Sequence, residues 1–206
     1  MTNHSRETPL HRALGLPDEP LSWTAIEQVV ASRVSEQGDL DWKRDLYHPK
    51  DPKWWYEAGK DMAAMANSGG GWIVFGVSDV DDRADEIVGV EWSSGQAQRL
   101  RQVGAQRVLP PLTGLEFYPV SSPTGDRTVV CMRVPEGRES KHAVCPEQNA
   151  FKVPYRNGPD TEFHGPREVG LALLAFANGG MLPAQLVPEA TEHSGPVNHL
   201  KAWVLD

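Results

Sequence analysis

Three carboxylates, Glu36, Asp41 and Asp79, are spaced so that they could work together. The hydrophobic pattern puts Glu36 at the end of a helix, Asp41 on the strand after it, and Asp79 just past a buried strand. If the two strands pair, the three acids converge at one edge of a sheet. Three carboxylates around a hard divalent cation make a Mg2+ or Mn2+ site. A metal held in this way polarises a phosphate and activates water. Lys43 shares a strand face with Asp41 and could contact that phosphate. Spacing alone leaves a second reading open, in which the acids are scattered over a solvated surface.

Other chemistry has less support. Ser68–Gly71 is glycine-rich, but it follows a helix and precedes a strand. That order is the reverse of a phosphate-binding P-loop, and the closing Lys and Ser/Thr are missing. No dinucleotide fingerprint occurs. His142-x-x-Cys145 lacks the second ligand pair that zinc needs. Cys131 lies in an apolar run and reads as a buried thiol. Of the seven tryptophans, Trp54 and Trp55 open a helix, where packing on a sheet and stacking on bases are both open to them.

The elements that would carry these residues follow from periodicity. Residues 1–20 show none and read as a loose N-terminal arm. Thr24-Ala-Ile-Glu27 is a capping box before Ile26, Val29, Val30 and Val34, which predicts a helix over 24–36. Leu40–Leu46 alternates as a strand. Ala58, Met62, Met65 and Ala66 define a helix over 54–67, stopped by Ser68-Gly-Gly-Gly71. Trp72–Val77 is a continuous apolar run, read as a central strand buried on both faces. Further strands are expected at 86–92, 115–120, 128–134 and 151–156. Helices are expected at 94–108 and, with Pro166 at its first turn, to about Asn178. Lys141–Glu147 reads as a loop. The expected fold is mixed α/β, a mixed sheet flanked by helices. It occupies 21–178, with an arm over 1–20 and a tail over 179–206.

Charge narrows the partners. The chain has 206 residues with 20 Lys/Arg against 28 Asp/Glu, a net −8. This excludes a generally polybasic binder and leaves room for a local basic patch. Residues 97–160 hold 9 Lys/Arg against 6 Asp/Glu, a net +3, while both flanking segments are acidic. A polyanion would be met there, by Arg99, Arg101, Lys152 and Arg156. No apolar run reaches membrane-span length. Residues 1–20 have no secretory apolar stretch, and two cysteines make no disulfide framework, so cytoplasm is the expected compartment. The tail's Leu182, Leu186, Val187, Leu200, Trp203, Val204 and Leu205 have no evident core of their own. They suggest a homodimer interface, with docking on the same chain as the alternative.

Three segments together resemble the Schlafen-type AlbA_2 domain, a family also labelled DNA-binding or divergent AAA-4. They are Glu36-x-x-x-Leu40-Asp41-Trp42-Lys43, then Met62–Asn67-Ser-Gly-Gly70 running into Gly76-Val77-Ser78-Asp79, then Phe151–Tyr155-Arg156-Asn-Gly158-Pro-Asp-Thr161. The match covers about residues 33–170. The resemblance implies a mixed α/β fold and a connection with nucleic acid, DNA or RNA. In nuclease members three acids at these motif positions hold the metal, and Glu36, Asp41 and Asp79 match them here. Asp41 stands where the family usually has Glu, a side chain one methylene longer. The roles implied are Glu36, Asp41 and Asp79 as Mg2+ or Mn2+ ligands, Lys43 on phosphate, and Arg156 with the middle basic residues along the backbone. Other members only bind, so a non-catalytic regulatory or protein-interaction module is the competing expectation.

Overall fold

Gly71–Phe75 (β2) is the strand around which the chain is organised, because its side chains are apolar on both faces. The computed structural model describes residues 8–16, 20–137, 141–147 and 150–177. β2 pairs in parallel with Leu40–Lys43 (β1), which sets Asp41 opposite Ile73 and Lys43 opposite Phe75. On its other side it pairs antiparallel with Thr128–Val134 (β7), which pairs in turn with Glu116–Ser121 (β6). The order β1-β2-β7-β6 makes a mixed four-stranded sheet.

Both faces of this sheet are covered. Ile73, Phe75, Val130 and Met132 pack on one side against Trp54–Asn67 (α3) and Ser94–Arg107 (α4). Trp72, Val74, Val129 and Cys131 pack on the other against Pro9–Leu14 (α1), Trp23–Ala31 (α2) and the ribbon Val77–Val80 (β3) with Arg83–Ile87 (β4). Two further small sheets follow among the described residues. One joins Val108–Leu109 (β5), Ala143–Glu147 (β8) and Ala150–Lys152 (β9). The other pairs Pro154–Asn157 (β10) with Asp160–Phe163 (β11). Pro166–Ala177 (α5) follows.

The mixed sheet flanked by helices is the expected fold, and several elements differ in extent. Residues 8–16 are not a loose arm. Thr8 caps α1 through its Oγ1, which accepts from the amides of Leu10 and His11, while His11 Nδ1 accepts from the Thr8 amide. Leu10 is then buried in the core. Histidine here does what Glu or Gln does in the usual capping box. α2 stops at Ala31, and Arg33 turns the chain with φ +48°. Glu36 therefore lies past the helix, in an extended segment whose amide donates to the Asp82 carbonyl at 2.7 Å. The apolar run 72–77 is split at Gly76, φ +93°, where a Cβ would stand 3.1 Å from the Gly89 Cα and the Thr128 carbonyl. The strand expected over 86–92 starts earlier, as β4. The loop expected over 141–147 contains β8, and the strand over 151–156 is divided between β9 and β10. The tail 179–206 and its part in a homodimer lie outside the described residues.

Candidate functional site

The parallel pairing of β1 with β2 decides which way β1 points its charges. Leu40 and Trp42 enter the layer beneath α2, so the alternating Asp41 and Lys43 emerge on the side of α3. Asp41 is 2% exposed. Its Oδ2 lies 2.8 Å from Lys43 Nζ, and its Oδ1 accepts from Arg156 Nη1 at 2.9 Å. The Arg156 guanidinium also donates from Nη2 to Glu36 Oε2 at 3.3 Å. Glu36 uses its other oxygen to accept the Trp42 amide at 2.8 Å. β10 brings Arg156 here because its own amide donates to Ser68 Oγ at 2.8 Å, just past α3.

α3 contributes Asp61, which sits on the buried side of the helix with Ala58, Met62 and Met65. Its Oδ2 accepts from the Tyr47 hydroxyl at 2.8 Å and lies 3.6 Å from Lys43 Nζ. Lys60 reaches its Oδ1 at 3.5 Å and also bonds Glu57. Asn67 ends the helix as a tie between sheets. Its Nδ2 donates to the carbonyls of His142 and Pro154, and its Oδ1 accepts the His142 amide, all within 2.8 Å. A buried amide that satisfies three backbone groups fixes the positions of β8 and β10, and hence of Arg156.

Burial and crowding set the protonation of this network. Burial, then the neighbouring Asp41 charge, pushes the Glu36 carboxyl up to about 7. Burial also raises Asp41, against the pull of Lys43 and Arg156. Burial pulls the Lys43 ammonium down, but Asp61 and Asp41 together outweigh it and leave it above its usual range. Tyr47 is driven well above its ordinary value by burial and then by the Asp61 charge, so it stays a donor. The folded value of Glu36 lies above its unfolded one. The folded chain then binds the proton more tightly, and the group's contribution to stability is full below pH 4.5 and lost as pH rises through about 7. Glu36→Gln keeps the acceptor for the Trp42 amide and removes the titration. Its urea midpoint, compared with that of the native chain at the two ends of this window, should gain most at the upper end. An unchanged difference between the two pH values would contradict the assignment.

The donor set does not fit a divalent cation. The Arg156 guanidinium occupies the space between Glu36 and Asp41, and Lys43 takes the remaining Asp41 oxygen. Asp79 is not part of this cluster. The kink at Gly76 carries the chain into the β3–β4 ribbon, where Asp79 stands exposed beyond a register shift at Ser78. Among the described residues no three His, Cys, Asp or Glu side chains are grouped to hold a metal ion. The expected trio is thus found as a pair of acids closed by a guanidinium. Lys43 is bound to two carboxylates and not turned to a phosphate.

The residues expected on a polyanion also divide. Arg156 is 4% exposed on its side chain and belongs to the buried network. Lys152 lies on β9 with its ammonium 4.8 Å from the Phe163 ring centre. Arg99 and Arg101 are exposed on α4, where Arg101 sits 4.8 Å over Phe117. Arg107, from the same helix, stacks over Trp55 at 4.6 Å. Asp61 and Tyr47 were not singled out in the sequence. For Asp61 the signal was there, an acid three residues after Ala58 and four before Met65 on an otherwise apolar stripe. His142 is buried with Nδ1 2.9 Å from the Pro110 carbonyl, and Cys131 is a buried thiol pushed up to about 12.

The Schlafen, AlbA_2 family model matches residues 36–163, more than half of the chain, and the chain belongs to that family. Membership suggests a nucleic-acid-related domain. No curated protein matches the chain. Among solved structures it is similar to the DIP2311 protein from Corynebacterium diphtheriae, with 18% identity and a TM-score of 0.47 over 73% of this chain. It spans 27% of the length of that protein. It is also similar to the N-terminal domain of a RecG-related protein from Nitrosomonas europaea, with 21% identity and a TM-score of 0.41, over 56% of this chain and 74% of that domain. No helix among the described residues is long and apolar enough to cross a membrane.

Proposed function

We propose that this chain binds the sugar–phosphate backbone of a nucleic acid across α4. The observation that carries this reading is the composition of that helix. Ser94–Arg107 contains no acid, on a chain of net −8, and every charged side chain on its exposed side is an arginine, set among glutamines and Ala105. At about 100° per residue, Arg99 and Arg101 fall on opposite borders of a strip that holds Gln98, Gln102 and Gln106 together with Ala105. Arginine at both borders supplies charge and a planar fork for phosphate oxygens, and the glutamines between them supply neutral donors. The buried ion network ties β1 and β10 to α3, which packs against α4. Phosphodiester cleavage is not part of the proposal, because the acids that would direct it are closed by Arg156 and Lys43.

The test is binding as a function of salt. Replacing Arg99 and Arg101 together by Gln retains helix-forming side chains and removes two cations. Affinity for a labelled oligonucleotide at low salt should fall at least tenfold. The slope of log K against log salt should shrink by roughly 1–2, since each neutralised phosphate contributes about 0.7–0.9. Full affinity with an unchanged slope would refute the α4 surface.

A further inference from the structure

A cavity of about 650 Å³ opens beside α4, between its first turns, the link Asp45–Pro49 and the segment Gly89–Glu91. Its size falls within the roughly 300–1,000 Å³ of small-ligand sites. Its inner wall is apolar and held in place. Tyr47 is clamped by an edge-on contact with Phe75, ring centres 5.6 Å apart, and by its hydroxyl on Asp61. Trp54 and Leu100 complete that wall. The rim carries three charges, Arg99 with the carboxylates of Asp45 and Glu91. All three are exposed.

These features select an occupant. Two carboxylates disfavour a phosphate inside the cavity and accept hydrogen bonds from amino groups. Rigid aromatic and aliphatic walls suit a flat ring. Arg99 stands on the rim and, in the reading above, on the phosphate path along α4. We infer that this cavity takes one unpaired base bearing an exocyclic amino group, adenine, cytosine or guanine, from a strand whose backbone lies on α4. The ring lies against Trp54 and Tyr47, and its amino group donates to Glu91 or Asp45, as an amino group in a groove donates to an acid. This inference rests on the proposed backbone binding, and it adds a preference that backbone binding alone does not create.

The experiment uses the full chain and labelled single-stranded oligo(dA), oligo(dC) and oligo(dT), with affinity read by fluorescence anisotropy. Oligo(dA) and oligo(dC) should bind about tenfold more tightly than oligo(dT), which offers no exocyclic amino group. Glu91→Gln combined with Asp45→Asn, both at exposed positions, should erase most of that difference. Trp54→Leu should weaken all three by about tenfold through lost stacking. A thermal melt reports whether that variant is folded, and if it is not, the exposed Glu91 and Asp45 pair still decides. Equal affinity of the native chain for the three homopolymers, with the salt dependence intact, would overturn the base pocket and leave the α4 surface standing. Binding of none of them would overturn both.

Discussion

Arg156→Met should lower the melting temperature by about 10 °C, the equivalent of roughly 3–5 kcal/mol for a chain of this size. The cost does not come from losing attraction between exposed ions, which would be small. Arg156 is 4% exposed on its side chain, and the oxygens it contacts belong to carboxylates that are 3% and 8% exposed. Methionine has a similar reach and fills the space, so little cavity forms. What remains is Asp41 Oδ1 and Glu36 Oε2 facing each other in a desolvated site without the guanidinium that bridged them. Lys43 still holds Asp41 Oδ2 at 2.8 Å and limits the damage. Arg156→Lys keeps the charge but cannot span two carboxylates with a planar fork, so it should fall between the native chain and Arg156→Met. Adding Asp41→Asn to Arg156→Met should recover much of the loss, because the uncompensated buried charge is then gone. Chemical denaturation of the native chain, Arg156→Met, Asp41→Asn and the double variant closes a double-mutant cycle that measures that coupling. A loss below about 1 kcal/mol for Arg156→Met would show a site open to water, in which the guanidinium is free to serve elsewhere.

The same arginine shows what the sequence could and could not reveal. Tyr155-Arg156-Asn-Gly158 stood out as a motif, and net charge suggested a solvent-facing cation. Nothing local in the sequence says that Asn67, nearly ninety positions earlier, bonds the Pro154 carbonyl and brings β10 back over α3. Elements whose partners are near in sequence or whose patterns are strong were legible. α3 begins at Trp54 and ends at Asn67 as the apolar stripe and the glycines indicate, and β7 covers Thr128–Val134 as its apolar run indicates. Glu36 was misplaced because Val34 continues the helical pattern of α2, while its backbone already runs beside β4. Val34 is buried there by tertiary packing, with its carbonyl accepting both the Ala84 amide and the Trp42 indole. Asp79 was misplaced because Gly76 reads as a small residue inside a strand. In the fold it is a corner between two sheets. The pairing of β1 with β2 was the correct premise. The convergence of three acids failed on those two local turns.

Gly70→Ala should destabilise the chain by about 4–5 kcal/mol, and Gly69→Ala by only about 1–2 kcal/mol, although the two are neighbours in one turn. Both glycines have positive φ, +101° at Gly69 and +81° at Gly70, so alanine strains the backbone at either position. Their surroundings differ. A Cβ on Gly69 meets nothing within 4 Å. A Cβ on Gly70 would lie 2.7 Å from the Glu136 nitrogen, 2.9 Å from the Val134 carbonyl oxygen and 3.1 Å from the Pro135 carbonyl carbon. These are backbone atoms at the end of β7, and they cannot turn aside as a flexible side chain would. Relief requires α3 and β7 to separate at the place where the Gly137 amide donates to the Ala66 carbonyl at 2.9 Å. Asn67 lies one residue further along, so the displacement would pass to β8 and β10 and loosen Arg156 against Asp41 and Glu36. Urea denaturation of the two variants separates the shared conformational strain from the clash unique to Gly70. Amide hydrogen exchange should show lost protection in β10 for Gly70→Ala and not for Gly69→Ala. Equal destabilisation by the two substitutions would mean that the close approach of this turn to β7 contributes nothing, and that positive φ alone requires glycine there.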